Sequence, residues 1–324
     1  MTNGERPVRQ KMEFVSGGAR CAAWHYPGTS GACVVMAGGF AVPKEPATDR
    51  FGAGFVAAGF SVLAFDYRGL GESDGEPRLV QSVKNIVADW KAAIACARAL
   101  PEVDPTKVAI WGFSASGGFV LEVAASTPGV AAAIAQTPLA SAPAAAPRLG
   151  RYSTPWAQLR LVRLGLIDMV GGALGRDPIL VPLTGERGQI AMLSTPDALL
   201  GAEALNASRY PQWEQRVAAR SVLTLGGYRP IRFAPRIACP LLVVVCEDDL
   251  SSPPTLARRV ALRAPRAELF TAVGRHYAPF IEAHDEVLAG EVSFLNRHLV
   301  APAGEAFGDE TRTRGDSCGL TAPP

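Results

Sequence analysis

Only four histidines, His25, His276, His284 and His298, occur in this 324-residue chain, and none forms a ligand-type cluster with another. The six cysteines, Cys21, Cys33, Cys96, Cys239, Cys246 and Cys318, include no CxxC or CxxxC pair. A structural zinc site is therefore not expected, and Cys33 and Cys246, inside apolar runs, read as small core residues. Charge is equally sparse: 19% charged residues and a formal net charge of +2 give no reason to expect nucleic acid or an anionic membrane surface as partner. No apolar run approaches the ~18–20 residues of a membrane span, and Met1 to Pro7 lack the apolar segment of a signal peptide. The expectation is a soluble, cytoplasmic protein whose oligomeric state, monomer or homodimer, stays open. Internal repeats are absent. No Walker sequence occurs, and Gly69-Leu70-Gly71 lacks the third glycine of a dinucleotide-binding turn, so no cofactor is called for.

What is present is apolar and patterned. Hydrophobic residues make up 48% of the chain, enough for one large α/β domain or a core carrying an inserted subdomain. Arg9 to Tyr26 reads as an antiparallel hairpin broken at Gly17-Gly18. Continuous apolar runs at 32–37, 61–67, 107–111, 130–135 and 240–245 suit strands buried on both faces of a parallel sheet. Between them, 51–58 and 82–100 read as helices, the second from Val83, Ile86, Val87, Trp90, Ile94 and Ala97 at helical spacing. Later segments near 254–264 and 285–298 read as helices, and 268–273 as a strand. The alternation predicts an α/β fold with a mostly parallel sheet and helices on both faces.

From about residue 138 to 237 the alternation stops. Thr154-Pro155 opens a helix through Val170 with Trp156, Leu159, Val162, Leu166, Ile167 and Val170 on one face. Thr195-Pro196 and Tyr210-Pro211 look like two more helix starts, the last running through Val217 to Gly226-Gly227. The division expected is thus a core at 1–137 and 238–300, a helical lid without strands at 138–237, and a disordered tail at 301–324.

The run 107–111 leads into Gly112-Phe113-Ser114-Ala115-Ser116-Gly117-Gly118 and then a helix. A serine at a sharp strand-to-helix turn, with small neighbours, is the form of a nucleophile elbow, although Ser116 stands where glycine is usual. A serine nucleophile needs a base, and the base needs an acid to orient it, in chain order Ser, Asp or Glu, His on this kind of sheet. His276 follows the 268–273 strand, and Asp249 lies in the Glu247-Asp248-Asp249 loop after Cys246. Asp248 and Glu247 are alternative acids, and Ser116 an alternative nucleophile that lacks glycine at −2. His284 and His298 are expected to be exposed on the last helix, and His25 to lie on an edge strand.

These segments, with Met36-Ala37-Gly38-Gly39-Phe40 and Asp66-Tyr67-Arg68-Gly69-Leu70-Gly71-Glu72-Ser73, make the chain resemble an α/β-hydrolase. The similarity is to the group with dienelactone-hydrolase-like and acetylxylan-esterase-like cores, and it spans roughly residues 8–300. The resemblance implies Ser114 as nucleophile, His276 as base and Asp249, four residues before a proline, as acid. It also implies an oxyanion hole from the backbone N–H groups of Phe40 and Ala115. Asp66 and Arg68 are read as shaping their turn. Two departures stand out: Gly38-Gly39 in place of His-Gly, and Ser251 where an apolar residue is common. The expected activity is hydrolysis of a sizeable, partly apolar small-molecule ester or thioester, without metal. Acyl transfer, cyclisation, elimination or C–C cleavage on the same residues is the alternative, and a non-catalytic binding protein a third. Trp156, Met169, Met192 and Trp213 in the expected lid serve either packing or substrate contact.

Overall fold

Wholly buried apolar runs build the middle of the molecule in the computed structural model, which describes residues 8–300. The expectations for residues 1–7 and 301–324 lie outside the described residues. The chain opens with β1 (Gln10–Ser16) and β2 (Ala19–Tyr26), as the Gly17-Gly18 break predicts. It then alternates β3 (Cys33–Ala37), α1 (Lys44–Ala57), β4 (Ser61–Phe65), α2 (Val83–Arg98), β5 (Val108–Phe113), α3 (Ala115–Ser126) and β6 (Ala132–Gln136). An insertion follows, comprising α4 (Ala142–Leu149), α5 (Pro155–Ala173), β7 (Leu180–Pro182), α6 (Pro196–Leu199), α7 (Gly201–Ala204), β8 (Arg216–Ala218) and α8 (Ala219–Gly226). The core resumes with β9 (Leu241–Cys246), α9 (Pro254–Arg263), β10 (Ala267–Ala272) and α10 (His284–Leu295), the last running into a π-helical turn, Asn296–Val300.

Eight strands form one sheet in the order β1-β2-β4-β3-β5-β6-β9-β10. The β1–β2 and β2–β4 pairs are antiparallel, and all the others are parallel. Every residue of β3, β4, β5, β6 and β9 is buried, the signature of strands covered on both faces. Registers Ala37↔Gly112, Phe113↔Gln136 and Gln136↔Val244 bring the C-terminal ends of β3, β5, β6 and β9 to one edge. Ala272 pairs with Cys246, so β10 ends there too. Loops that follow these ends gather above one crevice, where ligands of open α/β sheets collect.

Several expectations are corrected. Helix α1 starts at Lys44, well before residue 51, because the Lys44 side chain is buried and tied down. Its Nζ lies 2.7 Å from both Asp66 Oδ2 and Glu72 Oε2, and its amide donates to Asp66 Oδ1 at 2.7 Å. Asp66 therefore pins the loop after β3 to the turn after β4, and Arg68 holds the same turn through Asp89 Oδ1 at 2.8 Å. His284 is buried rather than exposed, edge-on to Phe51, with Nδ1 3.0 Å from the Pro279 carbonyl. His298 is half-buried against Phe294, its Nε2 2.9 Å from Glu268 Oε1. His25 is buried in β2, which lies inside the hairpin edge formed by β1.

The insertion is not free of strands: β7 and β8 pair antiparallel, Leu180↔Ala218 through Pro182↔Arg216. The helix expected from Tyr210-Pro211 is replaced by a turn, in which the Trp213 amide donates to the Tyr210 carbonyl at 2.9 Å. Gln215 then takes a left-handed φ of 54°, which no helix can propagate through, and extended β8 follows. Helix α5 does form, capped by Thr154 accepting from the Ala157 amide at 3.2 Å. The face it turns inward carries Ala157, Leu161, Leu164, Gly165 and Asp168. Asp168, 1% exposed, accepts from the amides of Ile179 and Arg220, each at 2.8 Å. Trp156, Leu159, Val162, Leu166, Ile167 and Val170 consequently lie exposed on the outer side.

Candidate active site

Ser114 sits between β5 and α3 with φ 59° and ψ −118°, a strained conformation for a residue with a side chain. The turn closes so tightly that a Cβ on Gly112 would stand 2.6 Å from the Ser116 backbone. One on Gly118 would stand 2.5 Å from the Leu139 carbonyl oxygen. Ser116 is itself buried. Its hydroxyl hydrogen-bonds to that of Tyr67, which accepts from Trp90 Nε1 at 3.1 Å. The off-pattern serine is thus satisfied by a buried chain beneath the elbow and points away from any base.

His276, in the turn after β10, brings Nε2 to 3.0 Å from Ser114 Oγ and Nδ1 to 2.7 Å from Asp249 Oδ2. Asp249 also accepts from the amides of Ser251 at 2.9 Å and Ser252 at 2.6 Å. Asp248 and Glu247 lie on the same loop but make no contact with His276. The imidazole is 1% exposed, with its centroid 5.0 Å from both the Phe113 and Tyr277 rings. Burial works against its charged form, yet the charge and hydrogen bond of Asp249 and the charge of Asp197 together hold its pKa above the ordinary histidine value. Burial in turn pushes the Asp249 carboxyl up, opposed by His276 and the Ser252 amide.

The loop after β3 passes beside the elbow: a Cβ on Gly39 would stand 3.8 Å from that of Ser114. Phe40 follows, and Ala115 opens α3, where first-turn amides lack intrahelical acceptors and point outward. Trp213 reaches across from the insertion, its Nε1 donating to the Ala41 carbonyl at 3.0 Å. Of the four insertion residues singled out from sequence, Trp213 holds this loop and Met192 lines the cavity over Ser114. Trp156 and Met169 lie on the outer face of α5 and are not among the lining residues.

The cavity over Ser114 measures about 270 Å³. Ala142, Ala146 and Leu149 of α4, Leu161 of α5 and Val222 and Leu225 of α8 give it apolar walls. Sequence reasoning passed over α4, although Ser141-Ala142-Pro143 is a helix-start signal; Ser141 Oγ accepts from the Ala144 amide at 3.4 Å. It also passed over Asp197, which no local motif marks. Among the described residues, no cluster of His, Cys, Asp or Glu is arranged to hold a metal ion.

Comparison with known proteins follows the same lines. The profile of the family described as Serine aminopeptidase, S33, matches residues 29–274. The chain belongs to this family. It is an enzyme of the α/β-hydrolase class, with a resemblance that runs through the sheet, elbow and crevice. The quorum-quenching protein AidA of Acinetobacter baumannii is 36% identical over 292 residues, 88% of this chain and 94% of its own. The polyketide transferase af380 of Aspergillus fumigatus is 29% identical, over 90% of this chain and 99% of its own. The crystal structure of the α/β-hydrolase GrgF from Penicillium superposes with a TM-score of 0.75 at 25% identity, covering 90% of this chain and 99% of that one. No helix among the described residues is long and apolar enough to cross a membrane.

Proposed function

We propose that the protein is a serine hydrolase that cleaves a carboxylic ester or thioester with an apolar acyl group. The observation that carries this reading is the Ser114–His276–Asp249 line of hydrogen bonds, opening into the apolar cavity of about 270 Å³. Ser114 Oγ attacks the carbonyl carbon while His276 Nε2 takes its proton, and the Phe40 and Ala115 N–H groups hold the oxyanion. His276 then gives the proton to the departing alkoxide or thiolate, leaving an acyl-enzyme. Water activated by the same imidazole releases the acid and restores Ser114. Asp249 holds the tautomer with Nδ1–H directed at itself and stabilises the imidazolium.

Residues 138–237 act, in this reading, as a lid whose inner surfaces on α4, α5 and α8 receive the acyl chain. Acyl transfer is the second reading, favoured by relatives named polyketide transferases; an acceptor hydroxyl or amine then takes the place of water. Thiohydrolases among the relatives favour hydrolysis of a thioester.

A panel of p-nitrophenyl esters and N-acetylcysteamine thioesters with two to twelve acyl carbons tests this. Hydrolysis is expected, strongest for medium-length chains, with an acidic limb above the ordinary histidine value because His276 must be neutral to accept the proton. Adding acceptor nucleophiles to the same assay separates transfer from hydrolysis by product. Turnover of none of these substrates, or turnover untouched by Ser114→Ala, contradicts the proposal.

A further inference from the structure

Ser251, the off-pattern residue of the acid loop, finds its partners in the insertion. Its Oγ lies 2.7 Å from Asp197 Oδ1, to which it donates, and 2.7 Å from Thr195 Oγ1. Asp197 Oδ2 accepts from the amides of Leu250 at 2.9 Å and Ser251 at 3.2 Å. The Ser251 amide therefore stands between two carboxylates, since it also donates to Asp249 Oδ1. Asp197 and Asp249 are each 1% exposed. Two buried carboxylates that meet at one short loop repel each other unless N–H donors and a positive charge stand near both. The amides of Leu250, Ser251 and Ser252 supply the donors. The positive charge is the imidazolium of His276, formed in the reaction as Ser114 loses its proton.

We propose that Asp197 is a positioning residue that fixes the turn carrying Asp249 and, as a second negative charge beside His276, favours the imidazolium of the transition state. The proposal rests on the reading of Ser114, His276 and Asp249 as a working triad. It makes the site complete only when the insertion is seated, because α6 brings Asp197 and the preceding Thr195 to the loop.

The electrostatics agree with the geometry. Burial works against the Asp197 carboxylate, but His276, Thr195, Ser251 and the Leu250 amide outweigh it and hold its pKa below the ordinary value. Asp197 in turn acts to raise the pKa of His276. The other groups around the imidazole carry no compensating charge. Tyr277 packs edge-on against it and is kept neutral by burial, as is Cys246 at the end of β9. Arg148 meets only the backbone carbonyl of Asp249, at 3.3 Å. Glu282 packs against Gly274, its Oε1 2.7 Å from where a Cβ on that glycine would stand.

The test is the rate at which a fluorophosphonate inactivates the full-length protein across pH 5–9. In that reaction the Ser114 Oγ–P bond forms and the P–F bond breaks. Fluoride leaves, and the serine proton passes to His276 and then to solvent. In Asp197→Asn the acidic limb is expected to move to lower pH, and the plateau rate to fall by about tenfold or more. Ser251→Ala keeps the charge and removes only the hydroxyl, so its limb should coincide with that of the wild type while its plateau falls by a smaller factor. If the Asp197→Asn limb and plateau both match the wild type, Asp197 has no such role. A limb displaced as far in Ser251→Ala as in Asp197→Asn also overturns it, since loop geometry rather than charge would then be responsible. Wild-type protein that takes no adduct at Ser114 overturns the triad reading beneath this one.

Discussion

The sheet and the insertion hold themselves together by different means. Strands β3, β5, β6 and β9 are apolar along their whole length and hidden on both faces, so hydrophobic burial sets their place. The insertion adds apolar side chains such as Leu183, Leu205 and Val217 to that core, but single polar links join it to the segments around the strands. Trp213 donates to Ala41, Tyr210 Oη to Asp49 Oδ2 at 3.0 Å, and the Ala218 amide to the Leu79 carbonyl at 3.0 Å. The Gln81 amide donates to Ser221 Oγ at 2.8 Å, and Asp197 holds the acid loop. Non-directional burial tolerates small changes in any one residue, whereas a link of one hydrogen bond is lost with one atom. Core substitutions should therefore register as stability, and insertion substitutions as activity.

Four substitutions test that division. Ser114→Ala, in the core but at the proposed nucleophile, should lower ester turnover by roughly 10⁴–10⁶-fold while leaving the thermal midpoint close to wild type or above it. A fall in midpoint of the same protein would mean that the strained serine is structural. Gly112→Ala forces a Cβ onto the Ser116 backbone and should cost about 3 kcal/mol of stability, measured by urea denaturation. Trp213→Phe removes the N–H that holds the Ala41 carbonyl and keeps most of the buried ring. Its kcat should fall by about tenfold with little change in the urea midpoint. An unchanged kcat would mean that this bond does not position the loop carrying Phe40 for the proposed reaction.

The smallest effect expected lies deep in the core. Glu291 on α10 is fully buried, and its one hydrogen bond comes from Trp111 Nε1 at 3.0 Å. Burial raises its pKa well above the ordinary value. The folded state thus keeps a proton that the unfolded chain gives up, so stability falls as pH rises from the unfolded pKa towards the folded one. Glu291→Gln should be as stable as wild type near pH 4 and more stable by about 1 kcal/mol at pH 8. Equal midpoints at both pH values would contradict a neutral buried carboxyl.

The same contrast explains what could be read in the sequence. Continuous apolar runs, the Gly112–Gly118 elbow and the order of Ser114, Asp249 and His276 are local patterns, and the three residues do meet in one hydrogen-bonded line. The two serines that departed from the pattern were legible as departures but not as partners. Ser116 bonds to Tyr67, 49 positions away, and Ser251 to Asp197, 54 positions away. In the insertion, periodicity misled. The broad apolar face of α5 turned outward, while the narrower face of Ala157, Leu161, Leu164 and Gly165 turned inward with Asp168, which accepts from the amides of Ile179 and Arg220. Tyr210-Pro211 offered a good helix start, yet pairing of β8 with β7 overrode it.

The central claim is that Ser114 becomes acylated with His276 as its base. It is tested most directly by intact mass spectrometry of the protein quenched in acid during turnover of a medium-chain p-nitrophenyl ester, followed by peptide mapping. The account predicts one added acyl mass, located on the peptide containing Ser114. It should accumulate in wild-type protein, be absent from Ser114→Ala, and form far more slowly in His276→Ala. An acyl group on any other residue, or equal rates of acylation in wild type and His276→Ala, would contradict it.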